Sequence, residues 1–201
     1  MIALIDYGVG NLRSVEKALE AVGADVRLTS QPEAILAAEK VVLPGVGAFG
    51  DGMAGLLERN LVETVQSVTE RGTPLLGICL GMQLLFESSD ELGHHPGLGL
   101  LPGCVQRFPE EGQKIPQTGW NQLIIQAESP LLAGINTDDY AYFNHGYYCQ
   151  PANSQDILAT TEYILEYASV VTRGRLFGAQ FHPEKSQSVG LAILRNFVER
   201  C

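Results

Sequence analysis

The chain is predicted to fold as an α/β protein on an open sheet with helices on both faces, and three observations carry that expectation. The opening stretch alternates apolar strand, amphipathic helix and strand. The apolar run Pro74 to Ile78 has the length and composition of a buried parallel strand and leads into a helical segment. From about residue 103 short β-rich runs dominate.

IALID and KVVLP read as core strands. Between them lie a helix with Leu12, Val15, Leu19 and Val22 on one face, and a short strand, DVRLT. A helical stretch from Leu56 to Arg71 precedes the strand ending at Ile78, and Leu80 to Phe86 starts another helix. The later strands are CVQRF, NQLIIQ, YAYFNH, ILATTE, YASVVTR and RLFGAQF. A final helix from about Ser188 to Glu199 presents Val189, Ile193 and Phe197 on one stripe. With 201 residues, 45% apolar and 18% charged, and no linker or low-complexity run, 1–201 reads as one domain with a sizeable core.

The composition also excludes function classes. A net charge of −10 argues against a nucleic-acid partner, which would want a basic face. MIALIDYG lacks the basic and long apolar regions of a signal peptide, and no stretch is long enough to span a bilayer, so a soluble cytoplasmic protein is expected. Cys79, Cys104, Cys149 and Cys201 form no C-x-x-C pair or disulfide framework, which fits a reducing compartment.

Cys79 sits at the predicted strand-to-helix corner, flanked two residues away by Gly77 and Gly81, as in a nucleophile elbow with sulfur replacing oxygen. That corner projects the thiol from a strand end and places it at a helix N-terminus, which favours the thiolate. The Leu80 amide, directly after it, is a candidate oxyanion donor. Near the end, Pro183 disfavours helical geometry at His182, so His182 and Glu184 are expected to face one way along an extended chain. Glu184 then fixes the imidazole tautomer and leaves the other nitrogen for the thiol proton. A lone His-x-Glu would more often be a loop pair; beside a complete cysteine elbow it reads as base and orienter.

GICLGMQ followed far downstream by FHPE resembles the class I, triad-type glutamine amidotransferases. DYGVGNLRSVEKALEAVGA, LPGVGAFGDGM, KIPQTGWN and QFHPEKSQ further resemble the glutaminase subunits of imidazole glycerol phosphate synthase, in order and over essentially the whole chain. The resemblance implies a flavodoxin-like, doubly wound fold with a β-rich second half. It also implies a glutaminase using Cys79, His182 and Glu184, which needs no metal or organic cofactor. Its partner would be a separate cyclase subunit, forming a heterodimer that consumes the ammonia in histidine synthesis.

PGVGAFGDG lacks the Lys-Ser or Lys-Thr of a P-loop, and GVGN has Arg13 where the third Rossmann glycine belongs. Resemblance instead makes the amides around Gly45, Val46 and Gly47 the second oxyanion donor, with Val46 where many relatives carry a second glycine. Gln83, four residues after Cys79 on the same helix face, can reach substrate or serve as a buried turn partner. NHGYYC resembles the segment that meets the glutamine's α-amino and carboxylate end through Gly146 and Tyr147; Val-His-Ser-Tyr is commoner there. Trp120 lies in a loop similar to one the family uses at its subunit interface, where His-Met more often stands at Gln117 and Thr118. His94 and His95, in ELGHHPGLG, read as a surface pair and not a metal site. Three alternatives stand beside this reading: a glutaminase of anthranilate or purine synthesis, a cysteine-elbow protein of the stress-response or peptidase kind, and a non-catalytic binding subunit.

Overall fold

The computed structural model describes residues 1–110 and 112–201. In chain order the elements are β1 (Ile2–Ile5), α1 (Leu12–Ala21), β2 (Val26–Thr29), α2 (Pro32–Leu36), β3 (Lys40–Leu43), α3 (Phe49–Glu58), α4 (Val62–Glu70), β4 (Leu75–Ile78), α5 (Leu80–Leu84), β5 (Phe86–Ser89), β6 (His95–Pro96), β7 (Leu101–Arg107), β8 (Gln117–Gln122), β9 (Ile124–Ile125), β10 (Tyr140–His145), β11 (Tyr147–Pro151), β12 (Ile157–Glu162), β13 (Glu166–Arg173), β14 (Leu176–Ala179) and α6 (Gln187–Arg200).

The main sheet runs β2-β1-β3-β4-β14 and continues through β13, β11, β7, β5 and β6. Its first five strands are mutually parallel, in the doubly wound order expected. From β13 onward the pairing is mostly antiparallel, the β-rich second half of the sequence. Strands buried on both faces must be apolar throughout, and their alternate residues fill two cores. Leu4, Val42, Ile78 and Phe177 meet Val15 and Leu19 of α1 and Ile193 and Phe197 of α6 on one face. Ile5, Val41, Leu43 and Leu75 meet residues of α2, α3, α4 and α5 on the other. β8 and β10 form a separate antiparallel pair that leans on the first core through Ala141 and Phe143.

Four local expectations change. The helix read as Leu56 to Arg71 is two, α3 and α4, broken where Asn60 adopts φ 55°. α3 begins at Phe49, inside PGVGAFGDG and ahead of the expected start at Leu56, because two of its glycines, Gly52 and Gly55, are packing residues within a helix. A Cβ on Gly52 would lie 3.1 Å from the Leu80 and Leu84 side chains, and one on Gly55 would strike the Tyr7 carbonyl. The helix after Cys79 ends at Leu84, since Phe86 enters β5 and pairs with Leu101. NQLIIQ divides between β8 and β9, which pair with different neighbours, β10 and β12. No helix among the described residues is long and apolar enough to cross a membrane.

Candidate active site

Cys79 follows β4 directly, and its N–H donates to the Ala179 carbonyl at the end of the neighbouring β14 (2.8 Å). That parallel register sets the corner carrying the sulfur beside the segment Gln180 to His182, outside the carboxyl ends of the strands. The corner is sharp: Cys79 has φ 53° and ψ −108°, a region an L side chain rarely occupies. The flanking glycines make it possible. A Cβ on Gly77 would lie 2.7 Å from the Gly81 carbonyl oxygen, and one on Gly81 would overlap the Leu43 carbonyl. Such enforced strain is a mark of functional positions.

His182 is extended (φ −98°, ψ 98°) and held by its N–H donating to the Tyr142 carbonyl (2.9 Å). The chain then turns through a 3₁₀ helix, Pro183–Lys185, so Glu184 reaches the imidazole by folding back and not by strand alternation. His182 Nδ1 lies 2.9 Å from Glu184 Oε1, and the two side chains are 3% and 2% exposed. Burial alone would lower the His182 pKa; hydrogen bonds to Cys79 and Glu184, and their charges, outweigh it and push it up to about 9. Among the described residues, Glu184 Oε2 has no partner. The imidazole thus has Glu184 on Nδ1 and interacts with the Cys79 sulfur as well.

Around the sulfur is a pocket of about 110 Å³ lined by Val46, Gly47, Cys79, Leu80, Gln83, Glu91, Asn144, His145, Gly146, Tyr147 and His182. Of the expected residues, Gly45 lies behind this lining, where a Cβ would hit the Tyr7 hydroxyl and come within 2.9 Å of Leu80. Tyr7, fully buried, donates to the Pro44 carbonyl (2.5 Å) and pins the entry to the Gly45 to Gly47 turn. Burial and the Cys79 charge raise its pKa, keeping it a neutral donor. Gln83 is 5% exposed, and its Nε2 donates to the Tyr147 carbonyl (3.1 Å) and to Gln180 Oε1 (3.2 Å). It therefore braces the wall carrying Gly146 and Tyr147.

Three further residues meet the sulfur or its pocket without having stood out in the sequence. His145 donates from Nδ1 to the same Tyr147 carbonyl (2.7 Å), with Nε2 3.3 Å from the Tyr167 hydroxyl; burial pushes it down to about 4, so it is neutral. Glu91 accepts the Phe49 N–H at the start of α3 (2.7 Å) and brings a carboxylate to the pocket. Gln180, wholly buried, directs Nε2 at the Cys79 sulfur (3.8 Å). Only Gln180 carried a positional signal, two residues before His182 in an extended run.

A buried, strained thiol with a paired imidazole can form and hydrolyse a thioester. Comparison with known proteins agrees with that chemistry. Residues 3–201 match the family described as glutamine amidotransferase class-I. The imidazole glycerol phosphate synthase subunit HisH of Moorella thermoacetica is 52% identical over 98% of this chain and 94% of its own length. That of Methanosarcina mazei is 50% identical over 100% and 98%. Among solved structures, a glutamine amidotransferase superposes with a TM-score of 0.78 at 19% identity, covering 99% of this chain and 98% of its own. PurLQS from Thermotoga maritima gives 0.77 at 19% identity, covering 98% and 96%. These last two share the fold, while identity near one half along the full length makes this chain a member of the class-I glutamine amidotransferase family, in its HisH branch.

Proposed function

We propose that the chain, a single amidotransferase domain over 1–201, hydrolyses glutamine to glutamate and ammonia through a Cys79 thioester. The ammonia passes to a cyclase subunit that makes imidazole glycerol phosphate and aminoimidazole carboxamide ribotide in histidine biosynthesis. The likeness to HisH subunits supports the pathway, and a cytoplasmic place goes with it. The observation that carries the chemistry is Cys79 at φ 53° in a small pocket it shares with an imidazole paired at 2.9 Å with Glu184.

Glutamine enters with its amide toward Cys79. The backbone of Gly146 and Tyr147 meets its carboxylate end, and the Glu91 carboxylate draws its ammonium group. The Cys79 proton moves to His182, and the thiolate attacks the amide carbon. The new oxyanion takes the Leu80 N–H, at the free start of α5, and a donor from the Gly45, Val46, Gly47 turn. The C–N bond breaks as the His182 proton goes to the leaving ammonia. Water then gives a proton to His182 and adds to the thioester, and the collapsing intermediate releases glutamate and returns the proton to sulfur.

The partner face lies beside the base. Trp120 (45% exposed) and Tyr140 (51% exposed) stand on β8 and β10, and Trp120 packs edge-on against Tyr142. Tyr142 takes the His182 N–H on its carbonyl and donates its own N–H to the Ser186 hydroxyl (2.9 Å). A cyclase docked on these aromatics therefore presses on the strand that holds the base. The test is glutamate release by wild type and Cys79→Ala, each with and without the cyclase and its nucleotide substrate. Release that needs both Cys79 and the partner is expected; release by Cys79→Ala removes the thioester, and release indifferent to the partner removes the pathway.

A further inference from the structure

The Gln180 side chain is wholly buried and lies between the reactive sulfur and the wall of the glutamine pocket, and the mechanism above leaves it unused. Which end of its amide faces the sulfur follows from its neighbours. The Tyr147 carbonyl can only accept, so the Gln83 atom 3.1 Å from it must be the amide nitrogen. That nitrogen also lies 3.2 Å from Gln180, so the oxygen of Gln180 must face it. The Cys149 thiol, kept protonated because burial raises its pKa, points at the same oxygen from 3.9 Å. With its oxygen committed twice, Gln180 has only its NH₂ to offer Cys79, 3.8 Å away.

We propose that Gln180 is a catalytic contact of the sulfur: its Nε2–H donates to the Cys79 thiolate. When the S–H bond breaks, the proton goes to His182, the electron pair stays on sulfur, and the Gln180 N–H remains intact and points at the new charge. A hydrogen bond to an ion from a buried donor is stronger than a neutral one. The backbone makes the placement reproducible. Gln180 directly follows β14, beside the strand that ends at the elbow, and its N–H is pinned to the Ser169 carbonyl (2.9 Å), so the side chain leaves from a fixed point next to the sulfur. Through Gln83 and the Tyr147 carbonyl, the donor's aim is tied to the wall that receives glutamine. Substrate binding and thiolate stabilisation therefore share one hydrogen-bonded frame.

This inference rests on Cys79 being the nucleophile, and its test reads the sulfur directly. The pH dependence of iodoacetamide alkylation, followed by the mass of the peptide carrying Cys79, is compared in wild type, Gln180→Met and Gln180→Glu. Gln180→Met removes the donor, and the midpoint is expected to rise by about one pH unit, a tenfold loss of thiolate at fixed pH. Gln180→Glu keeps an acceptor for Gln83 and Cys149 but puts an acceptor beside the sulfur, and its midpoint is also expected to rise. The acid limb of kcat for glutamate release moves with the midpoint. A residue that only fills space would leave the Gln180→Met curve on that of wild type, which overturns the proposal; Gln180→Glu adds the repulsion of a carboxylate and checks that position 180 faces the sulfur. Should neither variant fold, side-chain amide NMR of the wild type decides. The Gln180 NH₂ resonances must shift as Cys79 titrates and stay still in Cys79→Ser, and a resonance indifferent to the thiolate overturns the proposal equally. Wild-type protein that alkylates as expected but releases no glutamate would remove the glutaminase reading and leave this one standing.

Discussion

Replacing Glu184 by Gln removes a charge while keeping the shape and an oxygen that can face His182. The wild-type imidazole is pushed from its ordinary 6.5 to about 9 against the opposing effect of burial, by the hydrogen bonds and charges of Cys79 and Glu184 together. A displacement of that size corresponds to about 3 kcal/mol of preference for the imidazolium. The imidazolium holds the proton that leaving ammonia takes, so glutaminase activity should fall as pH rises through about 9. Without the Glu184 charge the hydrogen bond weakens from charge-assisted to neutral, and the alkaline limb should move down by about one pH unit. The new amide nitrogen would occupy the position of Oε2, which has no partner among the described residues, adding about 1–3 kcal/mol of destabilisation.

Stability gives an independent reading with a definite sign. A group whose folded pKa lies above its unfolded value stabilises the native state fully below the unfolded pKa and loses that contribution as pH rises through the folded one. For His182 the window runs from 6.5 to about 9. Urea midpoints of the wild type should fall across that window, and those of Glu184→Gln should be lower but flatter. The assay is kcat/KM for glutamate release from pH 6 to 10 in the assembled enzyme, with urea melts of the isolated chain. Superimposable alkaline limbs, or a limb displaced upward in the variant, would refute the assignment of Glu184 as the group that holds the imidazole charged.

Cys79→Gly should abolish glutamate release and yet raise unfolding free energy by about 1 kcal/mol, because glycine adopts φ 53° without the strain of a side chain; an unchanged or lowered urea midpoint would contradict the strain. Tyr7→Phe orphans the buried Pro44 carbonyl and should destabilise by about 1–3 kcal/mol, while lowering kcat more than it raises KM, since the Gly45 to Gly47 turn loses its anchor. Trp120→Ala should leave the thermal midpoint of the isolated chain in place and weaken binding to the cyclase by roughly 30-fold in a titration, the scale of an interface anchor.

The strands around Cys79 were legible because burial on both faces demands unbroken apolar runs, and Leu75 to Ile78 has no other use. The elbow was legible because its steric demands fall on residues two positions away. The pocket wall was not. Glu91 reaches the site by capping α3, a helix that the glycine run concealed, and nothing local in SSDEL marks it. His145 and Gln83 converge on the Tyr147 carbonyl from different elements, a meeting set by the pairing of β7, β11 and β13 and by no spacing in the chain. His182 and Glu184 show an intermediate case. An extended chain predicts their pairing, but proline at 183 starts a 3₁₀ turn, and the turn brings the carboxylate back.

One packing contact joins the two halves of the proposed oxyanion site. Gly81, just past the nucleophile, lies so close to the Leu43 carbonyl that no side chain fits between them. Leu43 ends β3, and the next residues, Pro44 to Gly47, form the turn that brings Val46 and Gly47 to the pocket. The same closeness that forces the strained corner at Cys79 therefore sets the distance between the Leu80 N–H and that turn. Tyr7 closes the arrangement from the end of β1 by holding the Pro44 carbonyl, which fixes one face of the first peptide in the turn. The two residues that follow, Val46 and Gly47, where φ is 111°, are both exposed. The fold thus buries the proposed Leu80 donor against the strand ends and leaves the proposed second donor on two residues that face solvent.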